Sequence, residues 1–242
     1  MAEHLLHLPL HDWMALKFVG AETFLPTQFF SYMFLHANLG HLFSNMLGLF
    51  FLGTFLEMIW GPKRFLTFYL ITGIGAGIVY SIVRYIEIYQ IAEALQRFLS
   101  EPSYEYLLGF ERKIAVNLPL EYQISIQELE GANGTIYLQQ YGAWAEGTYQ
   151  AVVNTGCVGA SGCIFGILAG LALVMPDREI LIFPIPFPIK MKYFAIFYFL
   201  IELKSGVIRV PGDNVAHYAH LGGALVAFLY LRYWERIRKL FS

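Results

Sequence analysis

Apolar residues run along this chain in long blocks rather than at the spacing of a soluble helix or strand. A membrane-crossing helix needs about 20 mostly apolar residues, and five stretches approach that mark. Leu42–Trp60 is interrupted by Ser44, Asn45, Thr54 and Glu57, whereas Phe65–Val83 and Val158–Met175 carry no charge. Val215–Leu231 holds His217 and His220. The fifth, Tyr193–Leu203, is shorter. It follows Pro184, Pro186 and Pro188, which cannot lie inside a helix, so a short span is expected to begin near Lys190. The pattern predicts an all-α polytopic membrane protein with five visible spans.

Residues 84–150 break the pattern. They hold nine of the eighteen acidic residues and four basic ones, Arg84, Arg97, Arg112 and Lys113. The ends of this stretch can continue the flanking helices. Its centre alternates weakly at Tyr122–Ile126 and Thr135–Leu138, which reads as strand. The expected organisation is an N-terminal segment and first extracytoplasmic loop (1–40), membrane helices one and two (41–83) and an acidic extramembrane insertion (84–150). Membrane helices three to five (151–234) and a basic cytoplasmic tail (235–242) complete it. Asn133-Gly134-Thr135 fits a glycosylation tripeptide but reads better as a turn.

Composition agrees: 57% of the 242 residues are hydrophobic and 14% charged, with mean hydropathy +0.53. Soluble domains carry about 25% charged residues. The net charge of -2 offers no bulk basic surface for nucleic acid. Cys157 and Cys163, both in apolar surroundings, read as packed thiols; two cysteines make neither a disulfide framework nor a four-cysteine zinc site. Residues 1–40 mix charged residues and proline with apolar ones and are not expected to act as a signal peptide. The basic loop Gly61–Arg64 and the tail Arg232, Arg236, Arg238 and Lys239 fall on one side by parity, which the positive-inside rule assigns to the cytoplasm.

Polar groups within spans carry a functional expectation, and here parity gathers them at one depth, in the outer half of the membrane. His41 and Asn45 stand one helical turn apart at the start of the first span, Ser161 near the start of the third, and His217 and His220 near the start of the last. Gly162, Gly166 and Gly170 form a small-residue stripe, matched by Gly223 and Ala227, so that the two helices can touch closely and bring Ser161 near His220. A serine hydroxyl needs a base, and neutral imidazole suits that task. His41, Asn45 and the Ser161 backbone N–H supply donors for a developing oxyanion. Taken singly, each residue has a blander reading: serine bonding its own backbone, histidine in a core, glycine for packing. Their coincidence favours chemistry.

The segments resemble the rhomboid intramembrane serine proteases. Residues 34–45, containing His41-x3-Asn45, Glu57 through Gly61, Gly159-Ala160-Ser161-Gly162 and Ala219-His220-Leu221-Gly222-Gly223 carry the likeness, which covers about residues 30–90 and 155–235. The resemblance implies a rhomboid-like helical bundle, with Ser161 as nucleophile and His220 as base in a dyad with no acid. It makes His41 and Asn45 oxyanion donors, with Gly159 and the glycine stripe packing helices. It implies Phe165 stacking on the base where the family often has Tyr. It implies hydrolysis of peptide bonds in or near transmembrane segments of protein substrates, in a lipid bilayer, with no metal or cofactor. The localisation expected is a cell (inner) membrane, multi-pass, with the site towards the extracytoplasmic side. The family core has six spans; the one before His41 is not found in this sequence, and truncation is expected in preference to a compact surrogate covering that side. The Trp-Arg pair usual in the first loop is replaced by about Thr27-Gln28. The competing expectation is an inactive rhomboid-like protein that escorts membrane proteins. A transporter is disfavoured because Glu57 is read as the one deep ionisable group, pairing near Lys63-Arg64.

Overall fold

The computed structural model describes residues 9–114, 134–181, 186–208 and 215–240, without the side chains of 134–140 and 235–240. The expectations for Tyr122–Ile126 and Asn133 lie outside the described residues.

The chain forms an all-α bundle with one short hairpin among the described residues. Two short helices, α1 (Leu10–Met14) and α2 (Gln28–Ser31), precede the first long one, α3 (Leu39–Trp60). Asn38 caps α3 by accepting the His41 backbone N–H at 2.8 Å. Leu49–Gly53 is a π-turn inside α3. Gly61, at φ +76°, ends it, and Pro62 opens α4 (Pro62–Ser100). Then follow α5 (Tyr104–Ile114), α6 (Gly134–Asn154) and α7 (Ser161–Val174). An antiparallel hairpin of β1 (Glu179–Ile180) and β2 (Ile189–Lys190) leads to α8 (Met191–Val207) and α9 (His217–Leu240).

Among the described residues, two helices, α3 and α4, are long and apolar enough to cross a membrane. Only 17% of the apolar window of α3 is buried, and Phe43, Phe50, Phe51 and Met58 point outward. A soluble protein hides such a helix; an apolar outer wall suits lipid. The expected five spans are not all realised at spanning length. Helix α7 has 14 residues, about 21 Å at 1.5 Å per residue, because the backbone at Gly159, φ +125°, keeps residues before Ser161 out of the helix. Helix α8 starts at Met191, close to the expected Lys190, and spans 17 residues including Glu202 and Lys204.

The ends of the 84–150 stretch continue as helix, as the sequence allows. Its first part continues α4 as helix, with Ile88, Ile91, Leu95 and Phe98 at helical spacing on one buried face. That face, with Leu107 and Phe110 of α5 and Tyr141 and Ala145 of α6, builds a second apolar core. Thr135–Leu138 lies in α6, not in a strand.

The main core joins α4, α7 and α9 to the N-terminal segment. Leu16 and Cys157 exchange both backbone hydrogen bonds at 2.9 Å. Gln28, fully buried, accepts the Lys17 N–H and donates to the Asp12 and Thr23 carbonyls. The position expected to hold a Trp-Arg anchor therefore holds a loop clasp. Tyr32 donates to the Gly73 carbonyl of α4 at 2.7 Å and accepts the Gly159 N–H through its own carbonyl. The segment before α3 thus braces the turn that leads into Ser161.

Candidate active site

Helix α7 begins at Ser161 directly after the Gly159 turn, so the side chain sits on the first helical turn. Helix α9 lies against it. A Cβ at Gly223 would fall 1.9 Å from the Gly162 carbonyl oxygen, so the two backbones touch with no side chain between them. This contact sets the Ser161 hydroxyl 2.7 Å from His220 Nε2. Phe165, one turn along α7, lies flat against the imidazole, with centroids 4.4 Å apart and planes 2° from parallel.

The glycine stripe does a different job from the one expected. Gly162, Gly166 and Gly170 face α4, where added Cβ atoms would meet Ala76 at 2.7 Å, Thr72 at 2.7 Å and Phe68 at 3.1 Å. Gly162 also serves α9: its carbonyl meets Gly223, and a Cβ on it would lie 3.4 Å from the Ala219 carbonyl oxygen. Ala227, fully buried, lies in the same core. Gly222 clears Val79 of α4, so α9 is pinned on two sides.

Gly159 was expected to pack helices; it sits in the turn instead. A Cβ there would lie 2.7 Å from His41 Cε1 and 3.4 Å from Asn45 Nδ2. Its bare backbone therefore makes room for the two α3 side chains beside the Ser161 turn. Asn45 is 5% exposed, and its Nδ2 is buried with no hydrogen-bond partner. An unpaired buried amide is costly and calls for an explanation. His41 Nδ1 accepts the Ala37 N–H at 3.4 Å, while the His36 ring meets it edge-on at 5.2 Å. Burial, then the neighbouring His41, holds His36 below its ordinary pKa.

The expected dyad without an acid is incomplete as a description. Glu202, in the middle of apolar α8, is 8% exposed. Its Oε2 lies 2.6 Å from His217 Nδ1 and 2.9 Å from His220 Nδ1. Glu57 is therefore not the one deep ionisable group that the sequence leads one to expect; Glu202 is another. The missed signal was plain: a carboxylate within an apolar helix, facing a pair of histidines. Among the described residues no ion pair joins Glu57 to Lys63 or Arg64; the Arg64 guanidinium instead covers the Trp60 and Trp234 rings at 4.2 and 4.7 Å.

Glu202, His217 and His220 bring donor atoms within 4.8 Å of one another, as a metal site would need. The two short separations are hydrogen-bond distances, below the roughly 3.3 Å between neighbouring ligands of tetrahedral zinc. Cys157 and Cys163 are free and buried; Cys163 Sγ donates to Met33 Sδ at 3.3 Å, and burial pushes the Cys157 thiol up to about 12. Both behave as packed thiols.

Residues 25–87 and 131–236 match the Rhomboid domain. The unmatched interval covers the helical extension of α4 and α5. The chain is 24% identical over 208 residues to RHOMBOID-like protein 12, mitochondrial, of Arabidopsis thaliana. That alignment covers 85% of this chain and spans 45% of the length of the relative. No solved structure matches. With over half of its length matched by the domain and its outer apolar helices suited to lipid, the chain is a membrane protein of the rhomboid family.

Proposed function

We propose that the chain is an intramembrane serine endopeptidase that cleaves membrane-protein substrates in or near their transmembrane segments. The observation that carries this reading is the 2.7 Å approach of the Ser161 hydroxyl to His220 Nε2. It is a nucleophile within proton reach of a base. Ser161 attacks the scissile carbonyl while its proton passes to His220. The imidazolium returns that proton to the leaving amine, the C–N bond breaks, and an acyl ester on Ser161 remains for water to hydrolyse. Asn45 Nδ2, buried and unpaired, is the donor held ready for the oxyanion, with His41 and the Ser161 N–H beside it. Phe165 keeps the imidazole plane fixed.

In this reading α3, α4, α7, α8 and α9 cross the bilayer, with the site towards the extracytoplasmic side and the basic ends in the cytoplasm. The short α7 starts at the depth of the site, in the outer half of the bilayer, and runs to the far face. A fluorophosphonate probe is expected to label Ser161, and labelling should vanish in Ser161→Ala and His220→Ala. Labelling that persists in Ser161→Ala removes the nucleophile. A folded wild-type protein that neither labels nor cleaves is instead an inactive, substrate-binding family member.

A further inference from the structure

We propose that Glu202 is a positioning residue for the Ser161–His220 pair, so that the site works as a Ser-His-Glu relay rather than a bare dyad; this rests on the hydrolytic reading above. Three helices supply its members in line. Ser161 Oγ of α7 lies 2.7 Å from His220 Nε2 of α9, and His220 Nδ1 lies 2.9 Å from Glu202 Oε2 of α8. The same carboxylate oxygen is held at 2.6 Å by His217 Nδ1, one turn earlier on α9.

The Ser161 hydroxyl can donate to Nε2 only when the ring proton is on Nδ1. Stacking on Phe165 fixes the ring plane but is indifferent to a half-turn of the ring about its bond to Cβ. That flip would put Cε1 in place of Nε2 at the nucleophile. A carboxylate beside Nδ1 breaks the degeneracy: it favours the Nδ1–H tautomer and the unflipped ring. As the serine proton moves to Nε2, the positive charge that forms on His220 lies directly against a buried negative one. In a low-dielectric interior such stabilisation is large. The Nδ1 proton points off the line to Oε2, so the contact acts through charge more than through an aligned hydrogen bond. His217 gives the carboxylate its second donor, which a buried charge in an apolar helix requires.

The test uses the full chain in proteoliposomes with a transmembrane peptide substrate. Glu202→Gln is expected to lower kcat on the order of 10²–10⁴-fold with KM unchanged. Glu202→Asp should recover part of the loss. Nitrogen-15 spectra of the ring should show the Nδ1–H tautomer in wild type and a mixture in Glu202→Gln. A packing role would instead move the melting temperature and leave the tautomer alone. Wild-type kcat in folded Glu202→Gln, with Ser161→Ala and His220→Ala inactive, overturns the inference and spares the hydrolytic reading. Activity in Ser161→Ala sinks that reading itself. Should Glu202→Gln fail to fold, His217→Gln decides. It loosens the carboxylate and is expected to cost kcat about tenfold; an unchanged kcat overturns the proposal.

Discussion

Gly223→Ala tests the backbone contact that joins the two helices of the site. The added methyl would sit 1.9 Å from the Gly162 carbonyl oxygen and 2.8 Å from its carbon. Both are backbone atoms, so no rotamer can yield. Restoring an ordinary separation of about 3 Å requires the helices to part by roughly 1 Å, a strain typically worth about 1–3 kcal/mol. Ser161 and His220 flank this contact on their own helices and move with it. Their 2.7 Å separation would open to roughly 3.8 Å, past hydrogen-bond reach. A displacement of that size typically costs about 100-fold in rate. Gly147 on α6 and Gly109 on α5 have open space where their Cβ would fall, so alanine there should be neutral or stabilising by up to about 1 kcal/mol. Thermal unfolding in detergent and the rate of fluorophosphonate labelling read both effects. Gly223→Ala with wild-type melting and labelling would refute the claim that direct backbone contact sets the site.

Further expectations concern the site's rim and its braces. Asn45→Ala should slow cleavage about 10–1000-fold with little loss of melting temperature, since its Nδ2 has no partner to lose; an unchanged rate demotes it to packing. Tyr32→Phe removes the bond to the Gly73 carbonyl and should cost about 1 kcal/mol, measured by denaturant unfolding. Cys157, its thiol raised to about 12 by burial, should resist iodoacetamide at pH 8 in the folded protein and react after unfolding. His36 has a folded pKa below 6.5, chiefly through burial. The unfolded state therefore binds the proton more readily, and His36 lowers stability as pH falls through 6.5. His36→Gln should flatten that limb of melting temperature against pH.

The sequence pattern disclosed the groups that meet but not all the reasons they meet. Ser161, His220, His41 and Asn45 were legible because each is polar in an apolar run and parity set them at one depth. The stripe of Gly162, Gly166 and Gly170 was legible as a close-packing face, yet periodicity identifies a face without naming its partner. That partner is α4, with Ala76 and Thr72 filling the spaces. That α4 can continue past Val83 was open to the sequence, but its charges hid how far, to Ser100, it runs. Its apolar positions 88, 91, 95 and 98 keep helical spacing, and the Arg97–Glu93 pair lies one turn apart on the exposed side. Thr135–Leu138 was misread because four residues cannot separate a strand from a turn of helix.

Glu202 was missed for a different reason, and that reason bears on how the site works. A charge weakens the apolar signal of a span, so Glu202 itself made α8 hard to see as one. Burying a lone carboxylate is expensive. This one is tolerable because α9 offers two imidazoles on successive turns, at 2.6 and 2.9 Å. The pairing works in the other direction too. His217 and His220 share one face of α9, but Ser161 engages His220, while His217 anchors the acid. The second histidine thus holds the carboxylate in register with the first. Losing His217 should weaken catalysis without touching the nucleophile, whereas losing Glu202 should leave two imidazoles edge to face at 6.4 Å with no charge between them.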